Sequence, residues 1–190
     1  MILKLALVSS VLGCLGLGGC AMAPQTYPSA SSSASPISEV RLGALEHDAL
    51  SPERGSADLS GEILFQKPWT SKDPLWSVLL PRPDAGFSAN FAGKTSEAYA
   101  GVAWDYDITD RVFGEAAFGG SVNNGDAGRN VPPGHNALGC NELFRESASL
   151  GYRLTQNWNL LASVEHSSNA GFCVENRGLT NAGLKIGYAF

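Results

Sequence analysis

In the strand-like segments between Glu97 and the C-terminal Phe190, apolar residues return at every second position, and no other feature of the chain restricts its fold so strongly. Ala98, Ala100, Val102, Trp104, Tyr106 and Ile108 alternate with Glu97, Tyr99, Gly101, Ala103, Asp105 and Asp107. Trp158, Leu160, Ala162 and Val164 alternate with Asn159, Leu161, Ser163 and Glu165. Leu184, Ile186, Tyr188 and Phe190 alternate with Gly183, Lys185, Gly187 and Ala189. A period of two puts one set on a greasy face and the other on a polar or small one, which is a strand pattern. With 22 glycines for turns, the expected class is all-β.

Eight candidate strands follow: 38–49, 57–66, a weak one at 87–92, 97–108, 111–122, 143–154, 158–168 and 179–190. Short turns at Asp110 and at Thr155-Gln156-Asn157 alternate with longer loops at 67–84, 123–142 and 169–178, as in an eight-stranded antiparallel up-and-down barrel. A lipid-binding barrel in the periplasm would alternate in the same way with its apolar face inward. Two features favour the outer membrane. The chain ends on an aromatic residue within an alternating strand, as barrels inserted by the assembly machinery usually do, and Trp104, Tyr106, Trp158 and Tyr188 lie near strand ends where interfacial belts form.

The N-terminus is a leader: Lys4, an apolar run from Leu5 to Leu17, then small residues. Leu17-Gly18-Gly19-Cys20 has the leucine, two small residues and cysteine of lipoprotein processing, so residues 1–19 are expected to be removed and Cys20 acylated. No aspartate follows the cysteine, which points to the outer membrane. Residues 20–36 are rich in Ser, Ala and Pro and are expected to be a flexible tether, leaving 37–190 as one barrel domain.

Of the four cysteines, Cys140 and Cys173 remain in an oxidising compartment, in loops flanking one hairpin, and a disulfide between them is expected. A catalytic cysteine would want a histidine partner, and neither has one nearby in sequence. The 13 Lys and Arg face 18 Asp and Glu, a net charge of -5 that gives no footprint for nucleic acid.

His47 and His135 look incidental, whereas His166 sits in Glu165-His166-Ser167-Ser168-Asn169-Ala170-Gly171. On a strand, His166 and Ser168 share a face at roughly 7 Å between Cβ atoms, near enough for a base to reach a hydroxyl if the strand end bends. The face is the apolar one, so such a pair has a use only on a membrane lipid. Asn169 and amides near Ala170 and Gly171 could meet an oxyanion. A His-x-Ser pair is also common and by itself means little.

The stretch His166-Ser167-Ser168-Asn169-Ala170-Gly171, followed by Asn176-x-Gly178-Leu179 and the closing strand, resembles the outer-membrane lipid A 3-O-deacylases and the related acyloxyacyl-hydrolase-like proteins. Leu143-Phe144-Arg145-Glu146 and Leu150-Gly151-Tyr152-Arg153 also look like those relatives, and the likeness runs from about Glu39 to Phe190. The resemblance implies an eight-stranded barrel and cofactor-free hydrolysis of an acyl ester of lipid A. Ser168 would then be nucleophile and His166 general base, with Asn169 and the Gly171 amide as oxyanion hole.

The family's histidine-orienting glutamate is replaced by Thr180, which can hold a tautomer but cannot offset imidazolium charge. If Leu154 pairs with Trp158 across the turn, Glu146 falls opposite His166 and becomes the substitute acid, unless it is simply solvated at the headgroup level. Two further readings stand beside hydrolysis. One is a non-catalytic barrel that binds lipopolysaccharide, and the other is a tethered periplasmic lipid binder. Pairing with a second copy is left open.

Overall fold

The strands form where alternation is densest, and their order closes them into a ring. In the computed structural model, which describes residues 35–190, β1 (Ile37–Glu46), β2 (Ala57–Phe65), β3 (Arg82–Asn90), β4 (Glu97–Asp107), β5 (Val112–Asn123), β6 (Glu142–Arg153), β7 (Trp158–Ser168) and β8 (Leu179–Ala189) make a closed antiparallel barrel in which β8 pairs with β1. The leader, Cys20 and the tether up to residue 34 lie outside the described residues.

The apolar set faces out. Val164, Leu184 and Ile186 are exposed, whereas their neighbours Glu165, Lys185 and Arg145 are 1%, 3% and 2% exposed inside the barrel. A lipid binder with an apolar lumen would show the reverse, so this wall is built for lipid. The interior is a network of charges. Arg41 on β1 donates to both Glu115 oxygens on β5, directly across the ring, at 2.6 and 2.7 Å, and to Glu39 at 2.8 Å. Arg145 lies over the Tyr99 ring at 3.5 Å and meets Glu165 at 3.1 Å. A small apolar layer of Leu64, Ala103 and Ala117 completes the filling.

One end of the barrel carries the turns at 108–111 and 154–157 and the start of β1; the other carries the connections 47–56, 91–96, 124–141 and 169–178. Aromatics cluster at the turn end, where Trp158 meets Tyr188 edge-on at 5.0 Å and Tyr188 meets Phe190 at 5.3 Å. Two expectations need correction there. The segment 67–84 is not one loop, because β3 begins at Arg82, and Pro74–Leu79 form a short helix α1 capped by Asp73, whose side chain accepts from Leu75 N at 2.9 Å. This long connection also lies at the turn end rather than with the long loops. Arg82-Pro83-Asp84 reads as a turn in isolation; its strand is held by tertiary bonds from Arg82 to Asp105 at 2.8 Å and to Glu115 at 3.0 Å.

Candidate active site

His166 and Ser168 are the last outward residues of β7 at the long-loop end, and both are half-buried. In the β-ladders His166 is flanked by Glu146 on β6 and Thr180 on β8, and Ser168 by Phe144. Thr180 Oγ1 lies 2.8 Å from His166 Nδ1. When Nδ1–H donates to that hydroxyl, Nε2 keeps the lone pair a base needs. Gly178, at φ +70°, makes room for the ring, since a Cβ there would come within 2.6 Å of His166 Cε1.

Glu146 is opposite His166, as the three-residue turn requires, but the structure does not bring its carboxylate to the ring. The side chain is exposed and, among the described residues, makes no hydrogen bond or ion pair. Nδ1 already has Thr180 as its partner. Among the described residues Ser168 makes no side-chain hydrogen bond, so its hydroxyl is not committed to another group.

After Ser168 the chain turns out of the sheet through two left-handed residues, Ala170 (φ 52°) and Gly171 (φ 83°). The Asn169 side chain holds this turn: Nδ2 donates to Leu138 O at 2.7 Å and Glu175 O at 2.6 Å, and Oδ1 accepts from Gly171 N at 2.9 Å. Both groups expected to meet an oxyanion are therefore occupied within the turn. The Ala170 amide is without a partner among the described residues and sits on an exposed residue.

Cys140 and Cys173 form a disulfide, with Cα atoms 6.0 Å apart, that ties loop 124–141 to loop 169–178. The bridge also walls an outward groove of about 460 Å³ whose apolar sides are Phe118, Leu143, Phe144 and Phe172, with Gly119 and Gly120 at its floor and Glu142 and Asn169 at its edge. Phe118 and Phe144 stack at 6.3 Å, and Phe144 meets Phe172 at 6.2 Å. Ser168 itself does not line the groove, which reaches it through its ladder partner Phe144 and its neighbour Asn169; the surface is mostly carbon, with a volume suited to an acyl chain.

Behind the site the four long loops are clamped by polar groups that sequence reasoning missed. His47, taken as incidental, is fully buried, with Nδ1 2.9 Å from Asp58 and Nε2 2.9 Å from Glu53. Burial alone would lower its pKa, but the two carboxylates more than reverse this and raise it to about 9. Burial likewise works against the Glu53 carboxylate, yet hydrogen bonds from His47, Thr95 and Asn136 hold its pKa down at about 2. Burial raises the pKa of Asp48 despite the hydrogen bond it accepts from Thr180 N at 3.1 Å. In the sequence His47 falls inside the candidate strand 38–49, and no spacing marks Glu53 or Asp58 as its partners.

The family model for lipid A 3-O-deacylase (PagL) matches residues 59–189. Among solved structures, the outer membrane enzyme PagL superposes with a TM-score of 0.54 at 17% identity, covering 81% of this chain and 99% of that one. The N-terminal β-barrel domain of Pseudomonas aeruginosa OprF gives 0.54 at 13% identity, covering 82% and 98%. A de novo designed transmembrane β-barrel gives 0.51 at 13%, covering 83% and 98%. At these identities the superpositions speak for the outer-membrane barrel fold alone. No curated protein matches the chain. The family model spans most of the barrel, including His166, Ser168 and Thr180, and the chain belongs to the lipid A 3-O-deacylase (PagL) family.

Proposed function

We propose that the chain is a serine esterase of the outer membrane that removes the 3-O-acyl chain of lipid A. The observation that carries this reading is the placement of His166 and Ser168 on the lipid-facing wall, beside an apolar groove and at one rim of the barrel. A soluble ester would not reach them; a lipid lying along the wall presents its ester linkage at the level where they sit.

In the reaction, Ser168 Oγ attacks the ester carbonyl carbon while His166 Nε2 takes the hydroxyl proton. The negative charge that develops on the carbonyl oxygen meets the free amide of Ala170. Collapse expels the sugar oxygen, which takes the proton from His166, and a water then releases the fatty acid from Ser168 by the same steps. Asn169 and Gly171 keep the turn in shape so that Ala170 points at the oxyanion. Thr180 holds the tautomer of His166. The released chain occupies the groove between Phe118, Phe144, Phe172 and the disulfide. Acylation of Cys20 would anchor the N-terminus in the same membrane, at the turn end where β1 begins, and the closing strand to Phe190 would be the signal read by the barrel assembly machinery.

Mass spectrometry of lipid A from cells expressing the intact protein or Ser168→Ala tests the proposal. Loss of one hydroxyacyl chain with the intact protein, restored by Ser168→Ala, is the expected result. Unchanged lipid A with the intact barrel folded in the outer membrane would refute it.

A further inference from the structure

The ladder between β1 and β8 ends at Glu46 opposite Ala182, so continuing it would set Asp48 opposite Thr180. The chain does not continue it. Asp48 turns into the left-handed region at φ 44°, and its side chain takes over the missing rung: Oδ1 accepts from Thr180 N at 3.1 Å, while Ala49 N donates to Thr180 O at 2.9 Å. Thr180 is thereby held on both edges, by β7 on one side and by loop 47–56 on the other.

The remaining polar groups of Asp48 extend the hold. Its amide donates to Asn181 Oδ1 at 2.9 Å, and Oδ2 accepts from Asn136 Nδ2 at 2.9 Å. That same Asn136 nitrogen also bonds Gly178 O, the glycine that makes room for the His166 ring. One carboxylate, 1% exposed, is thus linked to both residues that define the ring's position. Asp48 and Ala170 are the non-glycine residues with positive φ among the described residues; the first bonds the ladder partner of His166 and the second follows Ser168 by two residues. Backbone strain of this kind persists where surrounding bonds over-determine it, and it collects at functional sites.

We infer that Asp48 is a positioning residue of the hydrolytic site, holding Thr180 so that its hydroxyl fixes the His166 ring. The inference rests on the esterase reading above. Asp48 does not touch the imidazole, so its effect passes through Thr180. Removing either residue releases the same ring, and removing both releases it no further.

A double-mutant cycle on the full-length protein in detergent and lipid A micelles tests this. Asp48→Ala and Thr180→Val are each expected to lower kcat about fivefold, the scale of one lost hydrogen bond, with KM unchanged. The double variant should lose no more than the larger single. Heat-modifiable migration on gels reports whether each barrel has folded. Should Asp48→Ala fail to fold, Asp48→Asn closes the cycle, because its amide nitrogen removes one of the two acceptor oxygens while keeping the shape. Losses that multiply, an unchanged kcat in the Asp48 variant, or an effect confined to KM would overturn the inference. Failure of the esterase reading looks different: the intact protein releases no acyl chain, or Ser168→Ala releases it equally fast.

Discussion

Replacing Thr180 by valine keeps the branched shape but deletes the hydroxyl that lies 2.8 Å from His166 Nδ1. A neutral hydrogen bond contributes about 1 kcal/mol, so kcat should fall about fivefold if the bond only orients the ring. Thr180→Glu works in the other direction. A hydrogen bond to a charged group contributes about 1.5–3 kcal/mol, so a carboxylate in place of the hydroxyl should add about 0.5–2 kcal/mol once the imidazolium forms. That corresponds to a rise in kcat of about two- to thirtyfold. The assay is the initial rate of acyl release from lipid A in micelles, followed by mass spectrometry, with heat-modifiable migration as the check on folding. Both variants should leave KM near that of the parent, since neither residue lines the groove. A folded Thr180→Val with undiminished kcat would refute the orienting role. A folded Thr180→Glu no faster than the parent would refute the idea that negative charge at this position is what the site lacks.

Other outcomes follow from the groove, the loop clamp and the disulfide. A Cβ on Gly120 would meet only Leu143 O at 3.8 Å, so Gly120→Leu should fold and fill the groove, raising KM for long acyl esters about tenfold and shifting preference to shorter chains in a graded ester series. His47 titrates near 6.5 when unfolded and at about 9 when folded, so its contribution to loop stability is complete below about pH 6.5 and disappears as pH rises through 9. Hydrogen exchange at the Thr95 and Asn136 amides, corrected for intrinsic rates, should be less protected at pH 10 than at pH 7 in the parent and not in His47→Gln; equal protection at both values would refute the clamp. Reducing the Cys140–Cys173 bond, which closes a 33-residue separation, should cost the loop end about 4 kcal/mol and raise KM, read by exchange in loops 124–141 and 169–178 together with the acyl-release assay.

The barrel was legible because strand period and lipid exposure act on every residue alike. A chain that alternates as 158–168 and 179–190 do has few other ways to satisfy its backbone. The β6–β7 register was legible for the same reason: Thr155-Gln156-Asn157 is too short to permit much choice, and Glu146 does face His166. What a residue does once placed was harder to read. Whether Glu146 bends to the imidazole or stays in solvent depends on what else occupies Nδ1, and Thr180 settles that from another strand. Asn169 reads as an oxyanion donor until Leu138 and Glu175 are known to present their carbonyls to it. The start of β3 was hidden because Arg82 draws its support from Asp105 and Glu115, far along the chain. His47 and Asp48 were hidden because their partners, Glu53, Asp58, Asn136 and Thr180, share no spacing that a motif could record.

The spoke from Arg41 to Glu115 bears on more than stability. It crosses the ring from one wall to the other, with Glu39, Glu62 and Arg82 packed around it, so charged side chains tie opposite walls together at that level. A barrel cross-braced in this way resists flattening under the lateral pressure of a membrane, so its outer wall keeps one shape while the lipids around it exchange.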